Sequence, residues 1–336
     1  MMLTKSQCDE AVMALQVQYP FTIDELTFPK ERTKFEGTLF YKKNHDTIIF
    51  HLKELIYFWK KLIQFRSGCL LISEANPEVL LSLLLSPLKV YYIIHTISLN
   101  RMDRLKKKLL NYSLSKTKQI ITVSKSAKSF FLENWTGGKN EEHIRVIYNF
   151  YQPKKEHVEP GNSIKTVLTV GAMIHYKNPF FWIEVCKKIL SAYSADPVKF
   201  IWAGDGSLLD DCKDLVKDIP QIQFIGYSEN IEQLYADCTV YFQPSIYESH
   251  GIAVLGAMYF EKPCVVADCQ GLPESVINNE TGYVVSTAAT AASVAAILEL
   301  LNDPGKAAKL GQAGKEKYDA TFAKDKWYSN MSELFN

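Results

Sequence analysis

Between residues 164 and 285, short apolar runs alternate with segments of helical periodicity. The runs are rich in Val, Ile, Phe and Tyr, and several of them end at a glycine or a proline. Strands buried on both faces appear as continuous apolar runs, and their alternation with helices predicts a parallel, doubly wound α/β sheet. The predicted strands cover 165–172, 198–206, 222–227, 239–245, 262–268 and 281–285. The predicted helices cover 178–189, 207–216, 230–235, 251–260, 289–301, 305–320 and 324–334.

The first half of the chain has the same pattern in a weaker form. Apolar runs predict strands at 69–75, 90–96, 119–124 and 144–149, with helices at 52–65, 78–85, 101–113 and 126–135. No element is predicted before Lys30. A polar stretch with proline and glycine, residues 151–163, is typical of a linker. We therefore expect two α/β domains, formed by residues 1–150 and 164–320.

Composition limits the class of protein. Of the 336 residues, 47% are apolar and 22% are charged, as in ordinary soluble globular proteins. The seven cysteines lack the spacing of a zinc or thioredoxin motif, so we expect reduced thiols. The N-terminus has no apolar core of a signal peptide, and the longest apolar stretch, residues 79–85, is too short to cross a membrane. These features predict a cytoplasmic protein that at most contacts the surface of a membrane.

Charge is distributed unevenly between the two halves. Residues 1–150 contain 22 Lys and Arg against 14 Asp and Glu, whereas the remainder contains 16 against 23. Two basic segments also carry apolar and aromatic residues, from Leu52 to Phe65 and from Arg101 to Lys118. Such helices suit an anionic membrane surface, or they are ordinary solvated faces with core aromatics. No nucleic-acid-reading motif accompanies them, so we expect no nucleic-acid partner.

Four segments follow predicted strands of the second half, at 170–178, 203–207, 224–230 and 244–253. Ligands of open parallel sheets bind beyond the carboxyl ends of the strands. The last segment is the most informative, because Glu248 lies in a loop before a helix that begins near Gly251. Free N–H groups at a helix N-terminus favour phosphate, and Glu248 suits sugar hydroxyls. Lys177, after another strand, could neutralise a diphosphate.

Each of these residues also has an ordinary structural interpretation. A glycine turn such as the one at Gly204 follows strands in many α/β proteins. Glu248 could simply stabilise a helix N-terminus. Lys177 could be a solvated surface lysine, and His95, after the strand at 90–96, could be a buried core histidine.

The order of the motifs favours the functional interpretation. From about residue 90 onward, the segments IIHT, ITVSKSAK, IRVIYNF, LTVGAMIHYKN, WAGDGSLL, IQFIGYSENIEQLYADC, YFQPSIYESHGIAVLGAMYFEKPCVVADCQGLPESV and TGYVV occur in a fixed order. In this order they resemble the retaining family-4 glycosyltransferases, also described as glycosyl transferases group 1. The first 65 or so residues show no resemblance, and the family's N-terminal glycine-rich loop is not evident.

The resemblance implies a GT-B fold, with two Rossmann-like domains whose parallel sheets face a central cleft. It also implies that residues 321–336 form a C-terminal helix that crosses back to the N-terminal domain. The N-terminal domain would bind a glycan or lipid-linked acceptor. The C-terminal domain would bind a nucleotide sugar linked to UDP, GDP or dTDP. No metal and no separate cofactor are expected.

The resemblance also assigns roles to individual residues. Glu248, His95 and Lys177 would be catalytic, with Glu248 on the donor sugar and His95 near the transferred sugar. Ser124 would lie at a strand end facing the cleft. The predicted donor-binding residues are Gly171, Lys177, Gly204, Ile225, Gly226, Tyr227, Ser245, Glu248, Gly251, Ile252, Ala253 and Gly256.

Two positions depart from the family pattern. A second glutamate, which holds the ribose hydroxyls, is expected where this chain has Gly256, and an arginine is expected where it has Ala172. Other groups could compensate, the donor could be a deoxyribose nucleotide such as a dTDP-sugar, or the chain could have lost activity.

Three functional hypotheses follow. The first is a retaining hexosyltransferase of surface polysaccharide synthesis, cytoplasmic or on the inner face of the plasma membrane. The rival is a non-catalytic GT-B protein that binds or scaffolds a partner. A GT-B sugar epimerase is a third option, which the motifs favour less.

Overall fold

The chain divides into two compact units. The computed structural model describes residues 2–5, 11–16, 68–73, 89–95, 104–114, 118–155, 157–161 and 164–334. Residues 1–147 together with 330–336 form the first unit, and residues 148–329 form the second. The roles predicted for the two domains stay predictions.

The described strands of the first unit form one sheet and lie side by side in chain order. They are β1 (Met2–Lys5), β2 (Ala11–Gln16), β3 (Gly68–Ser73), β4 (Lys89–Ile94), β5 (Lys118–Thr122) and β6 (Ile144–Val146). β1 pairs antiparallel with β2, and every following pair is parallel. The predicted strands of this half are confirmed as β3 to β6. β1 and β2 lie before Lys30, where the sequence predicts no element.

Two described helices accompany this sheet. They are α1 (Arg104–Ser113) and α2 (Lys125–Phe131), and a π-helical turn (Leu132–Thr136) continues α2. Ser124 accepts a hydrogen bond from the Ala127 N–H and caps α2, as serine often does at this position. The predicted helices at 52–65 and 78–85 lie outside the described residues. At the far end of the chain, the Tyr91 hydroxyl donates to the Leu334 carbonyl within the same unit.

The second unit contains a parallel sheet with the strand order β12-β11-β10-β7-β8-β9. Its strands are β7 (Lys165–Val170), β8 (Val198–Ala203), β9 (Ile222–Gly226), β10 (Val240–Gln243), β11 (Cys264–Ala267) and β12 (Gly282–Val285). All six were predicted from their apolar runs, and the side chains of β10 and β11 are buried along their whole length.

Five of the described helices connect these strands, and three more follow the last strand. They are α3 (Pro179–Ala192), α4 (Leu209–Asp214), α5 (Ile231–Asp237), α6 (Ile252–Tyr259), α7 (Leu272–Ser275), α8 (Thr290–Asn302), α9 (Pro304–Thr321) and α10 (Lys324–Ser332). The short helix α7 was not predicted, and the other seven were. Separate apolar clusters, one with Trp182 and Trp202 and one with Tyr235 and Tyr241, make up the core.

The strand order of the second sheet reverses once. From β7 the chain adds β8 and β9 on one side, then returns to place β10 on the other side of β7. The connections that follow β7 and β10 therefore leave neighbouring strands toward opposite sides. Such a topological switch point opens a crevice at the carboxyl edge of a sheet, and ligands bind there.

Two further features concern membrane insertion and the cysteines. No helix in the described part of the chain is long and apolar enough to cross a membrane. Five cysteines of the second unit are free and buried, namely Cys186, Cys212, Cys238, Cys264 and Cys269.

His250 is a buried histidine in the loop between β10 and α6. Its ring stacks on Tyr148 with 5.1 Å between centroids and meets the edge of Phe322 at 5.3 Å. Only 1% of the residue is exposed, and neither ring nitrogen has a hydrogen-bond partner among the described residues. Burial, with a smaller contribution from the charge of Lys317, lowers the pKa of His250 to about 3. The imidazole is therefore a neutral part of the core at physiological pH.

We expect His250 to make the protein less stable in mild acid. Its pKa in the unfolded chain is near 6.5. Below that pH the imidazole is protonated in the unfolded state but stays neutral in the folded state. The free energy of unfolding should fall by about 2 kcal/mol from pH 7 to pH 5 through this residue alone. Urea unfolding of His250→Phe should show a pH slope that is shallower by this amount. His157→Gln, a change at an exposed histidine, should keep the slope of the unchanged protein, and equal slopes in all three proteins would refute the assignment.

Candidate active site

Two loops meet at the switch point, residues 171–178 after β7 and residues 244–251 after β10. The Ile246 N–H donates to the Tyr176 carbonyl at 2.9 Å. The Asn178 side-chain amide donates to the Pro244 carbonyl at 3.2 Å. These bonds hold the two loops together independently of any charged group.

Lys177 and Glu248 form an ion pair between the same two loops. Each side chain is 15% exposed, so the pair is largely removed from water, where electrostatic attraction is stronger than at the surface. The Lys177 ammonium also lies 5.6 Å from the centroid of the Tyr176 ring. The two residues predicted to bind opposite parts of a donor therefore contact each other.

The loop after β11 fixes the backbone of Glu248. The Glu248 N–H donates to Gln270 Oε1 at 3.0 Å, and the Gly271 N–H donates to the Glu248 carbonyl at 3.1 Å. Gly271 is required here, because a Cβ at this position would lie 2.1 Å from the Ser249 carbonyl oxygen. Gln270 was not predicted as a site residue. The sequence signals a turn after β11, but the turn's contact with Glu248 depends on the strand order.

Gly251 begins helix α6 with φ +84°, a left-handed conformation that favours glycine. A Cβ on Gly251 would lie 2.7 Å from Leu272 Cδ2, so the loop is tightly packed. No earlier helical carbonyl can pair with the N–H groups of Ile252 and Ala253 in the first turn. This turn, three residues beyond Glu248, gives the site a positive dipole end.

Three buried polar side chains, joined by hydrogen bonds, support the loop after β10. The Tyr241 hydroxyl donates to Gln243 Oε1 at 2.6 Å, and Gln243 Nε2 donates to the Ser245 hydroxyl at 2.7 Å. All three residues are fully buried. Ser245, predicted to bind the donor, thus bonds to the buried Gln243 side chain. Nearby, burial and the Glu248 charge raise the pKa of Cys269 to about 12, so its thiol stays protonated.

Gly171 and Gly204 bring the ends of β7 and β8 into close contact. A Cβ at Gly204, where φ is +147°, would lie 2.0 Å from the Gly171 carbonyl oxygen. That oxygen accepts a hydrogen bond from Trp202 Nε1 at 2.8 Å. Both glycines therefore have a structural role in joining the loops around the crevice.

The end of β9 offers an exposed edge. Ile225 and Tyr227 are 41% and 71% exposed, and Gly226 between them has φ +68°. With neighbouring strands ~4.8 Å apart, β9 lies about 10 Å from β7 along the sheet. A ligand that reaches from the switch point to these residues must be extended.

The two departures from the expected pattern have different surroundings. Ala172 is exposed in the loop after β7. Gly256 is buried in the second turn of α6, and a Cβ there would lie 2.8 Å from Cζ and Oη of Tyr235. The Tyr235 side chain therefore occupies the space that a side chain at position 256 would need.

His95 belongs to the first unit, where it directly follows β4 and is half-buried. Its predicted catalytic role stays a prediction. The described residues include no group of three or more His, Cys, Asp or Glu that could hold a metal ion. The second unit itself brings together a cation, a carboxylate and the start of a helix.

Sequence comparison matches this unit to a known family. The family model described as "Glycosyl transferases group 1" matches residues 152–317, which include the whole second sheet and the switch point.

Curated relatives also match part of the chain. An uncharacterized glycosyltransferase of Methanocaldococcus jannaschii is 30% identical over 186 residues, which is 50% of this chain and 46% of the relative. The GalNAc-alpha-(1->4)-GalNAc-alpha-(1->3)-diNAcBac-PP-undecaprenol alpha-1,4-N-acetyl-D-galactosaminyltransferase of Campylobacter jejuni is 25% identical over 176 residues, or 51% of this chain and 48% of the relative. The matched region thus spans about half the length of these relatives.

A solved structure extends the similarity to the fold. The crystal structure of HepE from Anabaena in complex with UDP has a TM-score of 0.71 and 18% sequence identity, and the match covers 84% of this chain and 81% of HepE. The predicted α/β fold of GT-B type is thereby confirmed. Residues 152–317, just under half of the chain, therefore match the glycosyl transferases group 1 family.

Proposed function

We propose that this chain transfers a hexose-type sugar from a nucleotide-sugar donor to a glycan or lipid-linked acceptor in surface polysaccharide synthesis, with retention of the anomeric configuration. The meeting of Lys177, Glu248 and the first turn of α6 at the switch point carries the proposal. The Campylobacter relative supports a lipid-linked acceptor, because its name specifies an undecaprenol-linked glycan.

The chemistry assigns a task to each group. The bond between the anomeric carbon and the diphosphate oxygen breaks, and negative charge develops on the leaving diphosphate. Lys177 and the N–H groups of Ile252 and Ala253 stabilise that charge, in the manner of a preorganised oxyanion site. Glu248 accepts hydrogen bonds from hydroxyls of the transferred sugar. In the retaining mechanism, the acceptor oxygen bonds to the anomeric carbon on the face from which the diphosphate departs, and the acceptor proton passes to the departing diphosphate oxygen.

The rival function is a non-catalytic protein of the same fold that binds a partner. Gly256 and the exposed Ala172 favour it, because neither offers a polar side chain to a nucleotide. The two functions differ in whether a nucleotide sugar is consumed.

We expect Glu248→Ala to abolish sugar transfer. The test is donor consumption with UDP-, GDP- and dTDP-sugars, followed by NMR of the anomeric proton of the product, which should keep the donor configuration. Glu280→Ala, at an exposed carboxylate of the same unit, should retain full activity. Failure of the unchanged protein to bind or consume any donor would favour the rival, and unchanged transfer by Glu248→Ala would remove this residue from the mechanism.

We expect Glu248→Gln to separate binding from transfer. The change frees Lys177 from its ion pair and removes a negative charge near the diphosphate, so a nucleoside diphosphate without a sugar should bind about 3- to 10-fold more tightly. Transfer should still be lost. Lys177→Met should lose both, and calorimetric titration with UDP, GDP and dTDP measures the binding. Weaker binding by Glu248→Gln would show that the pair does not compete with the diphosphate.

We further propose that α1 contacts an anionic membrane surface. Leu105, Leu109 and Tyr112 are 68%, 40% and 85% exposed, and their spacing puts them on one side of the helix. Leu110 is fully buried on the opposite side. The sequence of α1, RLKKKLLNYS, contains no acidic residue, so its basic side chains complement anionic lipids. The other basic segment, 52–65, and residues 101–103 and 115–117 lie outside the described residues.

We expect the exposed apolar residues of α1 to be needed for membrane binding. Replacing Leu105, Leu109 and Tyr112 by Gln should weaken binding to phosphatidylglycerol-containing vesicles at least about tenfold, because apolar area is then lost from the bilayer interface. Vesicle sedimentation at low salt gives the affinity. Leu215→Gln, at a leucine of the second unit that is 52% exposed, is the matched control. The same affinity in the triple variant, or no binding by the unchanged protein, would refute the proposal.

A further inference from the structure

Tyr235 connects α5 to the first turn of α6. Its hydroxyl donates to the Ala253 carbonyl at 2.9 Å, and the residue is 1% exposed. The phenol ring stacks on Phe260 with centroids 5.7 Å apart and meets the Tyr151 ring edge-on at 5.8 Å. The tyrosine is therefore held in one position from several sides.

Gly256 makes this connection possible. A Cβ at this position would approach the Tyr235 ring and hydroxyl to 2.8 Å, well inside van der Waals contact, so any side chain would push the ring away. With glycine, the ring lies directly over the second turn of α6 and its hydroxyl reaches the first turn. The glycine at position 256 and the placement of the Tyr235 ring over α6 therefore depend on each other.

The first turn of α6 needs such support. Helix α6 has eight residues, and no side chain caps its start. Gly251 at the start of this helix has a positive φ, a conformation that glycine adopts readily. Leu272 lies next to Gly251, and the Tyr235 hydroxyl bonds to the Ala253 carbonyl. N–H groups stabilise an anion well only when they are already oriented toward it.

We propose that Tyr235 is a positioning residue for the diphosphate of the donor. It acts through its hydrogen bond to the Ala253 carbonyl, which holds the first turn of α6 in place, and it does not touch the ligand. This inference rests on the proposed function, since it assumes that the first turn of α6 binds the diphosphate.

Tyr318 supplies a matched control. It is 3% exposed, and its hydroxyl donates to the Tyr151 carbonyl at 2.8 Å. Tyr235→Phe and Tyr318→Phe therefore each remove one buried hydrogen bond to a backbone carbonyl and leave the ring in place. A purely structural role predicts the same behaviour for both variants.

The experiment titrates UDP, GDP and dTDP into each variant by calorimetry and measures urea unfolding in parallel. Tyr235→Phe should bind the diphosphates about 3- to 10-fold more weakly and raise KM for the donor with a smaller change in kcat. Tyr318→Phe should stay within about twofold of the unchanged protein in binding, although both variants lose stability.

A second pair of variants tests the contact between Tyr235 and Gly256 by changing the glycine. Gly256→Ala should displace the ring and weaken binding as Tyr235→Phe does. Gly314→Ala is its control, because the nearest atom to a Cβ there is 3.5 Å away. Equal diphosphate affinities in Tyr235→Phe and Tyr318→Phe would overturn the positioning role and leave the proposed function intact. If none of the three diphosphates binds the unchanged protein, the proposed function fails and the positioning role with it.

Discussion

The reversal of strand order at β7 is the constraint on which the site of this protein depends. Because β8 and β10 flank β7, the loops that carry Lys177 and Glu248 leave adjacent strand ends toward opposite sides. Opposite charges then meet over the gap and neutralise each other. An unpaired charge in so shielded a place would cost free energy, and the pairing avoids that cost for both residues.

The same pair suits a site that must exchange partners. The two loops are already held by the Ile246–Tyr176 and Asn178–Pro244 hydrogen bonds, so opening the ion pair does not release the loops. Under the proposed function, a diphosphate pairs with Lys177 while sugar hydroxyls pair with Glu248, so each charge keeps a partner. The buried chain from Tyr241 to Ser245 adds rigidity beneath the loop.

Local patterns predict the elements of this protein better than their arrangement. The apolar runs of β7 to β12 stand out because both faces of a parallel sheet are covered, and the glycine-bounded loops mark their ends. The Lys177–Glu248 contact and the support from Gln270 depend on which strands become neighbours, and no short segment encodes that order. β1 has only four residues, and the apolar run of β2 (AVMALQ) contains one β-branched residue, so it does not distinguish a strand from a helix. The four-residue α7 is too short to show helical periodicity.

The two departures from the family pattern look alike in the sequence, since each replaces a charged side chain by a small one. In the structure they differ, because Gly256 lies under the Tyr235 ring whereas Ala172 is exposed. A vacated position in a core is filled by a neighbour, since voids forfeit dispersion contacts. An exposed vacated position is filled by solvent or ligand. Gly256 therefore changes how α6 is held, while Ala172 leaves Lys177 as the cation of the loop after β7 to which the proposed function assigns the diphosphate.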